Sequence, residues 1–481
     1  TYVVRDYFDV FDEVYCPKEH TFEFLQNVLT EVMELFPSHY IHIGGDECPK
    51  KAWKKCAHCQ HLMKWEGLPN EEALQSWFIH RIEQFVNSKG RDIIGWDEIL
   101  EGGLAPNATV MSWRGEKGGI EAARQRHKVI MTPGKKCYLD YYQESPEFAP
   151  LAIGGFLPLD TVYNYNPLPA ELTPEEQAYI IGVQANIWGE YIQTPEYFEY
   201  MAFPRLLAMS EVQWTQPEHK DFESFARRLD KEFERLDYCG VNACRNFYEV
   251  NQAGAWNKSQ QTYEVTLNTF CPDADIYYAV NDSTVNTSSS LYETPIPLDE
   301  DATVYSAVYR DGKPLGKVTR ESFAVNKATG CDYTCNPEAG WEHLNKGFGL
   351  TDGRRGYARD MRRWISFYQD TVQIVVELKK PQKVKEVAFS SLWRPVNEIW
   401  PARAMSVSVS MDGQTFIPVG TKRLTYDFTL TEGTRFPASL SFAETEAAFV
   451  RLELLSGGLC PKGYFHEGLQ SELAIDEIEI Y

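Results

Sequence analysis

Residues 40–47 read Tyr-Ile-His-Ile-Gly-Gly-Asp-Glu, and this stretch decides the fold of the first half of the chain. An apolar run that stops at two glycines predicts a buried parallel strand, which would carry Asp46 and Glu47 to the carboxyl edge of a sheet. Two neighbouring carboxylates repel each other there, so at least one pKa is expected to move towards the range useful for acid/base catalysis. On this stretch alone, the two acids are equally compatible with a helix cap.

The rest of the first half repeats this arrangement of a short apolar run followed by acidic or aromatic residues. Four further runs lie at 92–98, 109–113, 129–132 and 180–187. Strands that alternate with helices predict βαβ units around a parallel sheet. Polar strand ends are typical of a (β/α)8 TIM barrel with its site at the carboxyl face, although only five of roughly eight strands can be counted.

The segments between and after these strands predict helices at 20–36, 71–88, 116–126, 196–211 and 221–236. The first helix is amphipathic, and five apolar residues share one of its faces: Phe24, Leu25, Val28, Val32 and Leu35. The second helix has a similar stripe, made of Leu74, Trp77, Phe78, Ile82 and Phe85.

From about residue 250 the pattern changes to the period-two alternation of β-strands. It predicts a small β-sandwich over 258–326 and a second all-β unit, a jelly roll, over 331–481. The strands expected in the last unit lie at 372–378, 384–389, 405–411, 449–455 and 475–480. The chain is therefore expected to combine a partial TIM barrel, residues 1–250, with two β domains.

Charge and hydropathy exclude several classes of function. The 481-residue chain has a formal net charge of -22, which argues against binding to nucleic acid or to anionic membrane surfaces. The chain contains no run of 18 apolar residues, so no transmembrane helix is predicted. The chain begins with Thr1 and lacks a secretory signal pattern, so we expect a mature product or a fragment of a longer protein.

The cysteines give an ambiguous pattern. Cys56-Ala-His-Cys59, with Cys48 and His61 nearby, resembles half of a zinc site. No second cysteine pair lies at finger-like spacing, so a loop disulfide or free thiols are the favoured interpretation and no metal or cofactor is predicted. A local bridge between Cys331 and Cys335 has equally weak support.

Taken together, the strand ends resemble the family 20 glycoside hydrolases, the β-N-acetylhexosaminidases. The resemblance rests on five motifs in the order of that family, each placed at a predicted strand end: His42 to Glu47, Gly95-Trp96-Asp97-Glu98, Ser112-Trp113, Tyr138-Leu139-Asp140 and Trp188-Gly189-Glu190. One such motif is weak evidence, whereas the ordered set is specific. It favours a catalytic pair over a helix cap for Asp46 and Glu47.

The resemblance implies a role for each of the acids and for one tyrosine. Glu47 would be the general acid that protonates the leaving oxygen and then the base that activates water. In this family the 2-acetamido carbonyl of the substrate attacks the anomeric carbon, so no enzymic nucleophile is needed. Asp46 would orient the acetamido group and stabilise the oxazolinium-type intermediate, and Tyr138 would donate its hydroxyl to the acetamido oxygen.

The resemblance also implies the residues that bind the sugar. Trp96, Trp113 and Trp188 would form an apolar box around the acetyl methyl group and under the ring. Asp140 and Glu190 would bind the outer hydroxyls of the terminal sugar. Asp97 and Glu98 are expected mainly to support the strand ends, His42 is expected to be a hydrogen-bonded core residue, and Arg114 is given no role.

The sequence departs from the family at its start. Members carry an arginine on the first barrel strand that grips the terminal sugar, whereas only Arg5 precedes Glu47 here. The five strands resemble the fourth to eighth of the family barrel, so we expect the carboxyl-terminal part of a longer enzyme that is poorly stable and nearly inactive alone.

The two β units resemble known accessory domains. Residues 258–326 resemble the small β-sandwich appended to bacterial members, and residues 331–481 resemble discoidin-type domains, which often bind glycans. The candidate aromatic residues for glycan binding in the last unit, with core packing as the alternative for each, are Trp341, Trp393 and Trp400.

The sequence therefore predicts an exo-acting β-N-acetylhexosaminidase that removes terminal GlcNAc or GalNAc from glycans. Two alternatives stay open: a carbohydrate-binding protein with an inactive barrel, and another retaining glycosidase with an enzymic nucleophile. By resemblance, we expect a bacterial, exported protein. The sequence makes no prediction about its oligomeric state.

Overall fold

The computed structural model describes residues 10–340, 349–430, 433–464 and 466–481. Arg5 and Trp341, two residues of the sequence predictions, lie outside this set. The chain forms two compact units. The first comprises the residues up to Glu144 together with Leu151–Cys244, and the second comprises Ser145–Pro150 and Arg245–Tyr481.

The first unit alternates strands with helices as the sequence predicts. In chain order its elements are α1 Glu19–Leu35, β1 Tyr40–His42, α2 Lys51–Lys55, α3 Ala57–Glu66, α4 Glu71–Ser88, β2 Asp92–Trp96, β3 Thr109–Ser112, α5 Lys117–Arg124, β4 Val129–Met131, α6 Gly134–Cys137, α7 Leu159–Tyr163, α8 Pro174–Gln177, β5 Ile180–Val183, α9 Pro195–Ala202, α10 Arg205–Trp214 and α11 Phe222–Tyr238. A 3-10 turn over Asp97–Leu100 follows β2.

The strands form one five-stranded sheet in the order β1-β2-β3-β4-β5. Every pairing in it is parallel, which confirms the predicted βαβ organisation. Parallel strands end at the same edge, so the segments after β1 to β5 converge there. Within the described residues β1 and β5 are the two edges, and the sheet is an open part of a barrel rather than a closed one.

Three details of the helices differ from the sequence prediction. No helix was predicted for the segments that form α2, α3, α6, α7 and α8. The apolar face of α1 is largely uncovered: Phe24 and Leu35 are exposed, while Phe22 is buried against Phe78 of α4. The helix predicted at 196–211 is two helices, α9 and α10, which meet at Pro204, where proline restricts the backbone and removes a donor. Across the described residues, no helix has the length and apolar character needed to cross a membrane.

The second unit is built from β-strands: β6 Asn251–Asn257, β7 Thr262–Asn268, β8 Asp275–Val280, β9 Ser290–Leu291, β10 Ile296–Leu298, β11 Ala302–Arg310, β12 Lys313–Pro314, β13 Thr319–Phe323, β14 Asp332–Asn336, β15 Ile365–Phe367, β16 Thr371–Trp393, β17 Ala404–Ser410, β18 Ile417–Arg423, β19 Thr434–Leu455, β20 Leu473–Ile475 and β21 Glu479–Ile480. The first eight form two sheets, one of β10-β7-β6 and one of β12-β11-β8-β9 with β13 beside β11. Strand β6 lies before the predicted boundary at residue 258.

The last strands form a single eight-stranded sheet. Its centre is β16, a continuous strand that the sequence prediction divided into 372–378 and 384–389. Register shifts between Glu377 and Gln382 mark the polar stretch that suggested a break. The pairing with β19 continues through these irregularities, and residues from both halves of β16 enter one apolar core.

Two of the three aromatic residues proposed for glycan binding in this unit lie in the described part of the chain, and both are buried. Trp393 and Trp400 are 4% and 7% exposed and pack in one apolar cluster with Phe436. The alternative of core packing therefore describes them, because both side chains lie inside the fold.

Candidate active site

The loop after β1 places the predicted catalytic pair at the carboxyl edge of the sheet. Gly44 and Gly45 both have positive φ angles, of +74° and +94°. A Cβ atom on Gly45 would lie 2.6 Å from Ile99 Cγ2, so the close approach requires glycine there. Glu47 itself has a φ of 44°, an uncommon conformation for a residue with a side chain. The strain falls on the proposed acid, as is common at functional sites.

The neighbouring strand fixes this loop in place. Ile43 N donates to Ile94 O at 2.9 Å, and Trp96 N donates to Gly44 O at 2.9 Å. Gln75 of α4 donates its side-chain amide to Gly45 O at 2.7 Å. The next helix, α2, has Lys50 as its N-cap residue and no side-chain cap, so Asp46 and Glu47 do not cap it.

A cluster of carboxylates shares this edge. Burial raises the pKa of Asp46, and the charge of Glu98 raises it further. Burial also raises the pKa of Glu47, with additional contributions from the charges of Asp46 and Glu98. Both shifts favour the protonated form, which is the form that a general acid needs.

Asp97 and Glu98 support the strand end, as the sequence predicts. Asp97 accepts a hydrogen bond from Arg114 Nε at 2.8 Å, and burial raises the pKa of Asp97 to about 6 despite that partner. Glu98 accepts from Trp113 Nε1 at 2.9 Å. Arg114, to which the sequence analysis gave no role, is the ion-pair partner of Asp97.

The four predicted aromatic residues come together in one cluster, which we call the aromatic cluster: Trp96, Trp113, Tyr138 and Trp188. The ring centroids of Trp96 and Trp188 lie 5.9 Å apart, and those of Tyr138 and Trp188 lie 6.2 Å apart. Trp113 and Tyr138 are nearly parallel, with centroids 6.3 Å apart. Trp188 is 40% exposed, whereas Trp96 and Tyr138 are buried.

Backbone hydrogen bonds also join the two segments that follow β4 and β5, which contain the remaining predicted site residues. Leu139 N donates to Asn186 O at 2.7 Å, and Asn186 N donates to Cys137 O at 2.9 Å. This ladder sets the segment of Tyr138 and Asp140 beside that of Trp188 and Glu190. Sequence analysis missed Asn186, whose side chain also hydrogen-bonds Thr132 at 2.9 Å.

Asp140 is the most unusual carboxylate of the site. It is 3% exposed, and neither side-chain oxygen has a hydrogen-bond partner of good geometry among the described residues. Burial raises the pKa of Asp140 to about 6, and the charge of Glu190 adds to this effect, although nearby backbone N–H groups oppose it. A buried carboxylate with free acceptors can bind sugar hydroxyls.

A buried arginine holds the backbone around Asp140. The Arg205 side chain is 0% exposed and donates to Leu139 O at 2.5 Å and to Tyr141 O at 2.9 Å. Sequence analysis missed this residue, and its only signal is a charged side chain at the start of the apolar helix α10.

The prediction for His42 is confirmed in one part and wrong in the other. His42 is hydrogen-bonded, since its Nδ1 accepts from Gly44 N at 3.1 Å, but it is exposed rather than a core residue, and its ring contacts the edge of Trp96 with centroids 4.8 Å apart. For the cysteines, no disulfide forms among the described residues, so neither a Cys56–Cys59 nor a Cys331–Cys335 bridge is present. Instead Cys16, which the sequence analysis did not consider, lies 4.0 Å from Cys56 and 3.8 Å from Cys59 between sulfur atoms.

A cleft of about 930 Å³ opens beside β1. Asp46 and Glu47 line one part of it, and apolar residues of α1 and α4, such as Leu25 and Ile79, line another. The acids therefore face an accessible space.

The carboxyl edge of this parallel sheet brings together paired acids, an aromatic cluster and a buried carboxylate that has no hydrogen-bond partner among the described residues. Comparison with known proteins shows what this part of the chain is similar to. Residues 2–217, somewhat less than half of the chain, match the model of the glycosyl hydrolase family 20 catalytic domain. Residues 251–319 match the chitobiase/beta-hexosaminidase C-terminal domain.

The similar proteins include bacterial β-hexosaminidases. The chain is 55% identical to one from Porphyromonas gingivalis over 48% of its own length and 30% of that protein. It is 37% identical to one from Vibrio furnissii over 40% of its length and 32% of the relative. The crystal structure of a family 20 exo β-N-acetylglucosaminidase from Vibrio harveyi aligns with 36% identity and a TM-score of 0.43, over 47% of this chain and 36% of that one. The chain matches about a third of the length of these proteins.

The second match concerns the small β-sandwich. It covers β6 to the start of β13 and agrees with the predicted resemblance of this region to a domain of bacterial β-hexosaminidases. The discoidin-type resemblance of residues 331–481 stays a prediction.

Proposed function

We propose that this chain carries the acid/base and acetamido-binding part of a β-N-acetylhexosaminidase site. It would act on terminal non-reducing β-linked GlcNAc or GalNAc, with retention of configuration. The observation that carries the proposal is that Asp46 and Glu47 follow β1, while the neighbouring parallel strand β2 ends at Trp96 of the aromatic cluster, at the same edge of the sheet.

Glu47 is the proposed general acid and base. Its side chain is exposed next to the cleft, so a leaving group and a water molecule can both reach it. Its raised pKa keeps a larger fraction of the side chain protonated near neutral pH. After the bond breaks, the resulting carboxylate takes a proton from the attacking water, which restores the acid.

Asp46 and Tyr138 are proposed to act on the acetamido group. A carboxylate in a half-buried position beside other acids stabilises a positive charge strongly, and the oxazolinium-type intermediate carries one. Asp46 would accept the N–H of the group, and Tyr138 would donate to its oxygen. Burial raises the pKa of Tyr138, so its phenol stays a donor.

The aromatic cluster and Asp140 are proposed to select the sugar. Trp96, Trp113 and Trp188 would surround the acetyl methyl group and exclude water. Asp140, with Glu190, would accept hydrogen bonds from the outer hydroxyls, since its oxygens have no protein partner among the described residues. An analogue that lacks such a hydroxyl would leave this buried carboxylate unpaired and bind poorly.

A substrate comparison tests the proposal. The chain should hydrolyse an aryl β-N-acetylglucosaminide, cleave the matching β-glucoside poorly and be inhibited by a GlcNAc thiazoline. Asp46→Asn should impair the N-acetylated substrate through loss of the anion. Efficient cleavage of the plain glucoside would reject substrate assistance and favour a glycosidase with an enzymic nucleophile.

A second candidate is glycan binding without turnover. It is favoured by the position of β1, which carries the catalytic pair and is an edge of the sheet within the described residues. Retention of terminal GlcNAc glycans on an array, with no hydrolysis of the aryl substrate, would support it.

Export to the periplasm, cell surface or medium is part of the proposal and rests on the resemblance to bacterial enzymes. Fractionation of cells that produce the full-length protein tests it.

A further inference from the structure

Three cysteine sulfurs meet near the cleft that Asp46 and Glu47 line, and one of them, Cys16, also lines this cleft. We call Cys16, Cys56 and Cys59 the cysteine cluster; their sulfur atoms all lie within 4.8 Å of one another. Cys16 Sγ lies 3.8 Å from Cys59 Sγ and 4.0 Å from Cys56 Sγ. Zn–S bonds of about 2.3 Å in a tetrahedral site separate two sulfur ligands by about 3.8 Å. The two separations that involve Cys16 match the spacing of ligands in a tetrahedral thiolate site, and the third lies within 4.8 Å.

The backbone holds these cysteines by contacts that do not involve sulfur. Trp53 Nε1 donates to Tyr15 O at 3.0 Å, and His58 Nε2 lies 3.2 Å from Pro17 O. These contacts fasten the segment around Cys16 to helices α2 and α3. The three sulfurs are thereby brought together by the fold, from positions that are far apart in sequence.

The local structure around Cys56 suits a metal thiolate. Cys56 is the N-cap residue of α3, and Cys59 lies in the first turn of that helix, so the Cys-x-x-Cys spacing turns both side chains to one side. Trp53, Met63 and Leu74 pack around the cluster and limit access of water.

A disulfide or a nucleophilic thiol agrees less well with the geometry of the cysteine cluster. A disulfide needs a sulfur–sulfur distance of about 2.05 Å, well below both measured separations, and a third cysteine would be left over. A nucleophilic thiol would be expected to lie at an accessible site, but Cys59 is buried. Thiolate ligands in a tetrahedral arrangement favour zinc among the common divalent metals.

We propose that the thiolates of Cys16, Cys56 and Cys59 bind a structural Zn²⁺ ion. Binding releases the three thiol protons and forms three Zn–S bonds, with no change of oxidation state. The ion would cross-link the segment ahead of α1 to the α2–α3 region.

Metal content tests this proposal. The whole chain is purified under reducing conditions, incubated with Zn²⁺, desalted and analysed by inductively coupled plasma mass spectrometry. We expect about one zinc ion per chain. Cys16→Ser and Cys59→Ser should each lose most of it, whereas the exposed Cys239→Ser control should retain it. Zinc-free protein after incubation, or full zinc content in both cluster variants, would overturn the proposal.

A second measurement on the unmodified chain covers the case in which a variant does not fold. Bound Zn²⁺ should slow alkylation of Cys16, Cys56 and Cys59 by roughly tenfold or more, and Cys239 should react equally fast with and without the ion. Substitution with Co²⁺ should give the intense absorption of tetrahedral cobalt thiolate. Equal alkylation rates with and without the metal, or a Cys56–Cys59 disulfide in the native protein by peptide mass spectrometry, would overturn the site.

Discussion

Asp140 in the first unit and Asp476 in the second are both buried aspartates, but their surroundings differ. Asp476 is 1% exposed, and its oxygens accept from Ser390 N at 2.7 Å, Gly356 N at 3.0 Å and Arg435 Nε at 2.8 Å. Asp140 is 3% exposed and has no partner of good geometry for either oxygen within the described residues.

The difference separates a carboxylate that serves the fold from one that is available to a ligand. A fully bonded buried group links the elements around it, and here Asp476 connects β16, β19 and the segment of Gly356. An unpartnered buried carboxylate destabilises the protein unless something else binds it. Asp140 is therefore expected to contribute to binding and to lower stability, whereas Asp476 is expected to contribute to stability.

The largest expected effect is a loss of catalytic activity when Glu47 is substituted, in the same unit as Asp140. Glu47→Gln should lower kcat for an aryl β-N-acetylglucosaminide by roughly 10²- to 10⁴-fold, because the variant cannot donate a proton. The free energy of unfolding should change little, since Glu47 is exposed. Steady-state kinetics and urea unfolding measure the two quantities, with Glu66→Gln at the end of α3 as the control. An active Glu47→Gln enzyme would remove Glu47 from the mechanism.

Asp476→Asn should instead destabilise the second unit. The change removes the carboxylate that accepts from Arg435 Nε, and because Arg435 is 30% exposed, this loss should cost about 1–3 kcal/mol. Chemical unfolding followed by tryptophan fluorescence measures it, with the exposed Asp299→Asn as the control. A loss as small as that of the control would show that Asp476 does not serve the fold, and the comparison would fail.

Asp140→Asn should stabilise the protein and weaken sugar binding. The folded protein raises the pKa of Asp140 from 3.8 to about 6, so the folded state binds the proton more tightly than the unfolded state. The favourable contribution of this residue is complete below pH 3.8 and is lost as the pH rises through about 6. The variant should therefore gain up to about 3 kcal/mol at pH 8 and little at pH 4.

Unfolding curves at pH 4 and pH 8, with the KM for the aryl substrate, measure both parts of this prediction. Asp92→Asn is the control, because that carboxylate already has His39 as a partner at 2.9 Å. A destabilised Asp140→Asn protein at pH 8 would mean that Asp140 has a structural partner in solution.

The smallest effect concerns apolar packing. Leu35 in α1 is 76% exposed, so Leu35→Lys should change the free energy of unfolding by about 0.5 kcal/mol or less. Phe22 on the same helix is 1% exposed, and Phe22→Ala should cost about 3–5 kcal/mol. Thermal unfolding of the two variants measures this difference. An equally large loss for Leu35→Lys would show that the outer face of α1 is covered in solution.

Local pattern was enough to predict the five strands of the parallel sheet and the helices α1, α4, α5 and α11, but not α2, α3, α6, α7 and α8. Short apolar runs with breaks at glycine gave all five strands of the parallel sheet, because a buried strand needs apolar residues on both faces. The apolar-run criterion failed within β16, because the polar residues between Glu377 and Val384 are typical of a turn. Pairing with β19 keeps the strand continuous there, and a partner strand cannot be read from local sequence.

The sequence by itself determined which residues stand at the strand ends, because strand length and parallel topology follow from local apolar patterning. It thereby placed Asp46, Glu47, Asp140 and the members of the aromatic cluster at one edge of the sheet. Only the tertiary structure decided that Asp140 lacks a partner, that Arg205 holds its backbone and that Cys16 meets Cys56 and Cys59. These features depend on contacts between residues that are distant in sequence. The local periodicity of apolar and polar residues does not predict such contacts.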